Sequence, residues 1–254
     1  MKKLLAITAL SAALFFGQTA AAEEKAAEEV KPSHVEMVLV LDESGSMSNL
    51  TNDTIGGFNS MIEKEKKLDV DAHVTTVLFN DQYKMLYNRR ELKDVRKMTD
   101  KDYTPGGMTA LLDAVGRTIH KMDMVSGIHR KDKGNKVLFV IITDGEENDS
   151  REYTYADVKK LIKDRQENAG WEFIFLGANI DAAAAAENLG IDRDRAVKYK
   201  NTGSGVRANF KAVAELSDSL AKSGRVSDEW KSQVEEDTDE NIMAAPADTK
   251  EHTA

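Results

Sequence analysis

Val35-Glu36-Met37-Val38-Leu39-Val40-Leu41 runs directly into Asp42-Glu43-Ser44-Gly45-Ser46, and the reading of this junction decides the fold. The first stretch is almost continuously apolar, the pattern of a strand buried on both faces rather than one face turned to water. Just past its end, Asp42, Ser44 and Ser46 place a carboxylate and two hydroxyls at alternate positions. Hard oxygens so spaced can turn toward one point, and they suit Mg²⁺, Ca²⁺ or Mn²⁺ rather than zinc or copper. Taken alone, the pentapeptide also reads as a turn and helix cap, because Asp, Ser and Gly serve both purposes.

Outward from this junction, strand and helix signals alternate. Residues 55–68 carry Ile55, Phe58, Ile62 and Leu68 on roughly one helical face. Gly56-Gly57 weakens the first turn by roughly 1 kcal/mol per glycine, which points to close packing or a bend there. Residues 72–79 read as a second strand, Asn80-Asp81 as a turn, and 83–90 as an antiparallel edge strand. Residues 109–124 form a helix through Leu111, Leu112, Val115, Ile119 and Met122, and 131–136 a basic loop with Lys131, Lys133 and Lys136. Residues 137–142 are a central strand. Helical spacing returns over 155–169, a buried strand over 171–176, and a short helix over 182–189 stopped by Gly190. A short last strand at 196–199 and a helix over 206–221, with Phe210, Val213, Leu216 and Leu220 inward, complete the pattern. The alternation predicts an α/β fold: a doubly wound, mostly parallel central sheet with one antiparallel edge strand, flanked by helices. In such sheets ligands sit beyond the carboxyl ends of the strands, where strand order reverses. Asp42 follows the first strand, and Asp144 follows 137–142 after Thr143.

The flanks have a different character. Lys2 and Lys3, an apolar stretch and the small residues Thr19-Ala20-Ala21-Ala22 mark 1–22 as a signal peptide. Residues 23–33 read as a flexible linker, 34–224 as the folded domain, and 225–254 as an acidic, disordered tail. The formal charge of −9 disfavours nucleic acid and anionic membrane as partners, and the absence of cysteine removes thiolate metal sites and disulfides. The expected location is periplasmic or extracellular, with no membrane span once the signal is cleaved.

A third segment joins the first two: Thr104-Pro105-Gly106-Gly107-Met108-Thr109, where glycines let backbone pass close by and Thr109 stands at a helix start, the place of an N-cap. D-x-S-x-S after a strand, G-G-x-T before a helix and T-D-G after a later strand together resemble the metal-ion-dependent adhesion site of von Willebrand factor type A (vWA) domains. The order of elements from about His34 to about Gly224 is similar to that family as well. The resemblance implies a metal set of Asp42, Ser44, Ser46, Thr109 and Asp144. Ser44, Ser46 and Thr109 would bind through their hydroxyls, and Asp42 and Asp144 mostly through water. It implies a divalent cation, Mg²⁺ before Ca²⁺ or Mn²⁺, whose last coordination position takes an Asp or Glu carboxylate of a protein ligand. The implied role is adhesion or assembly without catalysis, with the last helix shifting along the sheet as in some relatives.

The alternative is a metal-dependent hydrolase acting on phosphate or ester. No G-x-S-x-G elbow is present, and Ser44 stands where a two-aspartate phosphatase needs its second carboxylate. His34 and His73 lie at strand starts, the wrong end of the sheet; His120 and His129 sit late on a helix and in the loop after it, and His252 in the tail. A third reading has the acidic tail, 228–240, occupying the site within the same chain. Glu146, Glu147 and Asp149 read as a solvated rim.

Overall fold

The computed structural model of the chain describes residues 34–68, 70–125, 135–227 and 229–239. The signal peptide, the linker, Lys131, Lys133, His129 and the tail beyond 239 fall outside the described residues.

The sheet has six strands in the order β3-β2-β1-β4-β5-β6. They are β1 (His34–Asp42), β2 (Ala72–Phe79), β3 (Tyr83–Glu91), β4 (Asn135–Thr143), β5 (Glu172–Gly177) and β6 (Ala196–Lys198). All neighbours are parallel except β3, which runs antiparallel to β2 at the edge. This is the doubly wound architecture expected from the alternation of signals.

The continuous apolar character of β1 follows from two cores. Val35, Met37, Leu39 and Leu41 point to one, closed by α1 (Thr51–Lys67) and α5 (Gly203–Ser223). Val38 and Val40 point to the other, closed by α2 (Leu111–Asp123), α3 (Tyr155–Asp164) and α4 (Ala182–Leu189). Because β1 pairs with β2 on one side and β4 on the other, strand order reverses between β1 and β4. That opens a crevice at their carboxyl ends.

Gly57 shows why α1 tolerates its glycine pair. A Cβ there would stand 2.5 Å from Phe210 Cδ2 on α5, whereas one on Gly56 would meet nothing. Close packing, not a bend, accounts for Gly57. Gly57→Ala is expected to destabilise the domain by about 1–3 kcal/mol through overpacking, against the direction of helix propensity. Chemical denaturation measures this, and an unchanged midpoint would mean that Phe210 yields freely.

Besides the starts of α2 at Leu111 and α5 at Gly203 rather than at 109 and 206, three differences from the sequence expectation stand out. A 3-10 turn, Gly45–Leu50, feeds directly into α1, so the helix begins at Thr51 rather than Ile55. The α-helical part of α3 ends at Asp164, and a π-type turn, Arg165–Ala169, closes on left-handed Gly170 (φ 69°). The third is a correction to the tail. Trp230–Asp239 forms a helix, α6, that packs on α5 and β6 with Trp230 and Val234 buried. Two apolar side chains four residues apart, at about 1.5–3 kcal/mol each on full burial, suffice to seat a helix on a surface already built. Among the described residues no helix is long and apolar enough to cross a membrane.

Candidate metal centre

The junction read first folds into a compact set of oxygens. The Asp42 carboxylate turns back on its own loop, Oδ1 accepting from the Ser44 amide at 2.7 Å, while Oδ2 accepts from Thr143 Oγ1 at 2.6 Å. Tyr103 donates its hydroxyl to the Asp42 carbonyl at 2.6 Å and anchors the end of β1. Ser44 Oγ lies 3.1 Å from Ser46 Oγ, and Ser46 Oγ donates to Asp144 Oδ1 at 2.5 Å. A Cβ placed on Gly145 would sit 3.8 Å from Ser46 Oγ and 3.9 Å from Thr109 Oγ1. Both hydroxyls therefore face the space in front of Gly145. Asp42, Ser44, Ser46, Thr109 and Asp144, drawn from three separated loops, meet at the carboxyl ends of β1 and β4.

Thr109 is not a helix cap. The first residue of α2 is Leu111, Ala110 holds the cap position, and no side chain caps there. The Thr109 backbone is pinned by Asn148, whose Oδ1 accepts from the Thr109 amide at 2.8 Å and whose amide donates to the Thr109 carbonyl at 3.0 Å. Its hydroxyl is thus left facing the cluster. The GG pair does the work its composition suggested: the Gly107 carbonyl accepts from Gly45 N at 3.2 Å, and Gly106 N donates to the Glu43 carbonyl at 2.9 Å. Those contacts clamp the first and second loops together.

Asp42 and Asp144 are each 1 % exposed, and among the described residues neither has an ion pair. Burial pushes the Asp42 carboxyl above its ordinary value; bonds from Thr143 and Ser44 pull it back, and the Asp144 charge adds to the push. Two buried carboxylates facing one another without a cationic side chain are costly unless a cation is supplied. The donor set fits a hard dication. Octahedral Mg²⁺ at 2.0–2.1 Å places neighbouring oxygens about 3 Å apart, close to the Ser44–Ser46 separation of 3.1 Å.

Neighbouring residues sort differently from the sequence reading. Glu43 turns away from the cluster, its Oε1 accepting from the Thr104 amide at 2.5 Å and from Lys84 Nζ at 3.0 Å. Glu147 is not solvated rim; it takes the Leu112 amide at 2.9 Å and the Ser150 amide at 2.7 Å, closing the start of α2. Glu146 is exposed, as expected of a rim. Two partners of Asp144 escaped sequence reasoning. Asn179 Nδ2 donates to its carbonyl and Asn201 Nδ2 to its Oδ2, both at 3.3 Å. Their only signal is position, in the loops after β5 and β6. Asn179 adopts φ 55°, a left-handed conformation that asparagine tolerates.

The family model described as "vWA found in TerF C terminus" matches residues 34–196. The chain belongs to the vWA family. Solved structures carry the same fold at low identity. The vWF domain of the type V pili tip protein Mfa5 from Porphyromonas gingivalis is 12% identical, with TM-score 0.53, over 78% of this chain and 99% of that one. The pilus adhesin SpaC from Lactobacillus rhamnosus GG is 14% identical, with TM-score 0.55, over 74% of this chain and 31% of that one. The PilB minor pilin from Streptococcus sanguinis is 12% identical, with TM-score 0.53, over 72% of this chain and 61% of that one. This vWA chain therefore spans about three fifths of the minor pilin it resembles. No curated protein matches the chain.

Proposed function

We propose that this vWA domain is an exported protein-binding module that captures a partner's Asp or Glu carboxylate through a divalent cation, Mg²⁺ first. The cation would be held by Ser44, Ser46 and Thr109 directly, with Asp42 and Asp144 in support. The observation that carries the reading is the pair of buried carboxylates, without an ion pair among the described residues, beside three converging hydroxyls. Neutral hydroxyls next to the metal leave it short of negative charge, so it keeps a strong pull on one more anionic oxygen. A pilus adhesin, a pili tip protein and a minor pilin share the fold, which is consistent with adhesion or assembly.

The sheet topology weakens the self-ligand alternative. Lys231, on the first turn of α6, donates to the Arg193 carbonyl just before β6 at 3.1 Å. That turn therefore sits at the amino end of β6, opposite the metal centre. The first turn of α6 is therefore not the ligand.

The test is a pull-down from the native source with immobilised full-length protein. Partners should be retained in Mg²⁺, released by EDTA, and lost in Thr109→Ala. Retention that survives both the chelator and the substitution would contradict the proposal.

A further inference from the structure

At the opposite end of the sheet, His34 and Glu36 stand on the same face of β1, two residues apart. His73 on β2 is in register with Glu36. The sequence reading set these histidines aside as the wrong end of the sheet. The structure brings them together: Glu36 Oε1 lies 3.3 Å from His34 Nε2 and 3.4 Å from His73 Nδ1. The two ring nitrogens are 2.8 Å apart.

We infer that His34, Glu36 and His73 form a second metal site, chemically distinct from the first, selective for Zn²⁺ or a similar borderline cation. Tetrahedral zinc with ligands at about 2.0–2.1 Å needs edges of about 3.4 Å. Both edges at Glu36 already have that length, and the histidine–histidine edge must open by about 0.6 Å to reach it. Two imidazoles and one carboxylate are a recurrent three-ligand zinc set with the fourth position open. They are a poor set for Mg²⁺, which wants oxygens.

The surroundings of His34 support the assignment independently. Its other nitrogen, Nδ1, is 3.1 Å from Asp71 Oδ1. A carboxylate only accepts, so Nδ1 carries a proton; Nε2, which faces Glu36 Oε1, donates as well in the metal-free protein, and zinc would displace that Nε2 proton. This carboxylate–histidine arrangement fixes the tautomer that a metal ligand requires. The His73 Nδ1 lone pair already faces the cluster, because Arg89 NH2, 3.3 Å away, can only donate. Glu36 is 2 % exposed, and Arg89 holds both of its carboxylate oxygens.

Arg89 makes the site conditional. Its NH2 reaches Glu36 Oε1 at 2.5 Å and comes within 3.3 Å of His73 Nδ1, while Nε holds Glu36 Oε2 at 3.0 Å. The guanidinium thus stands in for the cation in the metal-free protein. It is held there by a left-handed backbone (φ 45°) on the irregular edge strand β3. For zinc to enter, NH2 must swing off Oε1, and Nε can stay on Oε2.

The experiment is calorimetric titration of Zn²⁺ into the full chain with Mg²⁺ saturating. One Zn²⁺ event should weaken by about tenfold or more in His34→Gln and in His73→Gln, and tighten in Arg89→Gln. Both histidines are partly exposed strand-start residues, so their variants should fold, and a thermal melt checks this. If one variant fails to fold, the other carries the test alone. Zn²⁺ affinity that stays within about twofold of the parent in the folded histidine variants overturns the assignment.

Discussion

Asp144→Asn is expected to lower Mg²⁺ affinity by more than about 100-fold, beyond the 10–100-fold typical of supporting metal-site groups, while stabilising the metal-free protein. Both effects come from one cause. Asp144 shares a buried pocket with Asp42, bonds Ser46 through Oδ1, and has no cationic partner among the described residues. Without metal, it adds to the burial penalty already raising the Asp42 carboxyl. With metal, the same charge becomes attraction. Thermal melts with and without Mg²⁺ separate the two states. At 100 times its dissociation constant, bound Mg²⁺ should contribute about 2.7 kcal/mol to the parent protein and almost nothing to the variant. A variant that loses stability equally in both conditions would indicate a packing role instead.

The second large effect lies at the contact between α1 and α5. Glu65 on α1 is 0 % exposed against α5, with Oε2 accepting from Ser217 Oγ at 2.8 Å and no hydrogen-bond partner for Oε1 among the described residues. Burial pushes its carboxyl up to about 7; the Ser217 bond opposes that, and Asp218 adds to it. The unfolded chain binds this proton only below about 4.5, so between pH 4.5 and 7 the folded state holds a proton that the unfolded state has lost. Stability from this group is full below pH 4.5 and falls as pH rises toward 7, by about 3 kcal/mol in all. Glu65→Gln removes that slope. The stability difference between variant and parent should therefore grow in the variant's favour from pH 4.5 to 7 and then level off. A difference that stays flat from pH 4.5 to 8 would mean that Glu65 is solvated in solution.

The parts of this molecule that were legible beforehand share a physical basis. Strands buried on both faces announce themselves by apolar runs, as β1, β4 and β5 do, and β2, with His73, Thr75 and Thr76 inside it, by its β-branched residues; all four were readable within two residues of their ends. The positions of Asp42 and Asp144 followed from those strands, because the carboxyl ends at the β1/β4 reversal are fixed by connectivity. What depends on side-chain packing was hidden. Glu147 looked like solvent-exposed charge, yet its carboxylate closes the start of α2. Trp230 and Val234 were too few to give periodicity, but a preformed surface on α5 and β6 needs only two. Asn179 and Asn201 reach Asp144 across sequence separations that no local pattern encodes. The convergence of His34, Glu36 and His73 depends on the register of β1 against β2, which only pairing reveals.

The central claim is that the loops after β1 and β4 and the one before α2 hold a hard dication. The most direct measurement is a crystal structure grown with Mn²⁺, read through its anomalous difference map. The account predicts a peak within bonding distance of Ser44 Oγ, Ser46 Oγ and Thr109 Oγ1, with the hydrogen bond between Ser46 and Asp144 replaced by metal coordination. A map with no peak there and that hydrogen bond intact at full Mn²⁺ would contradict it.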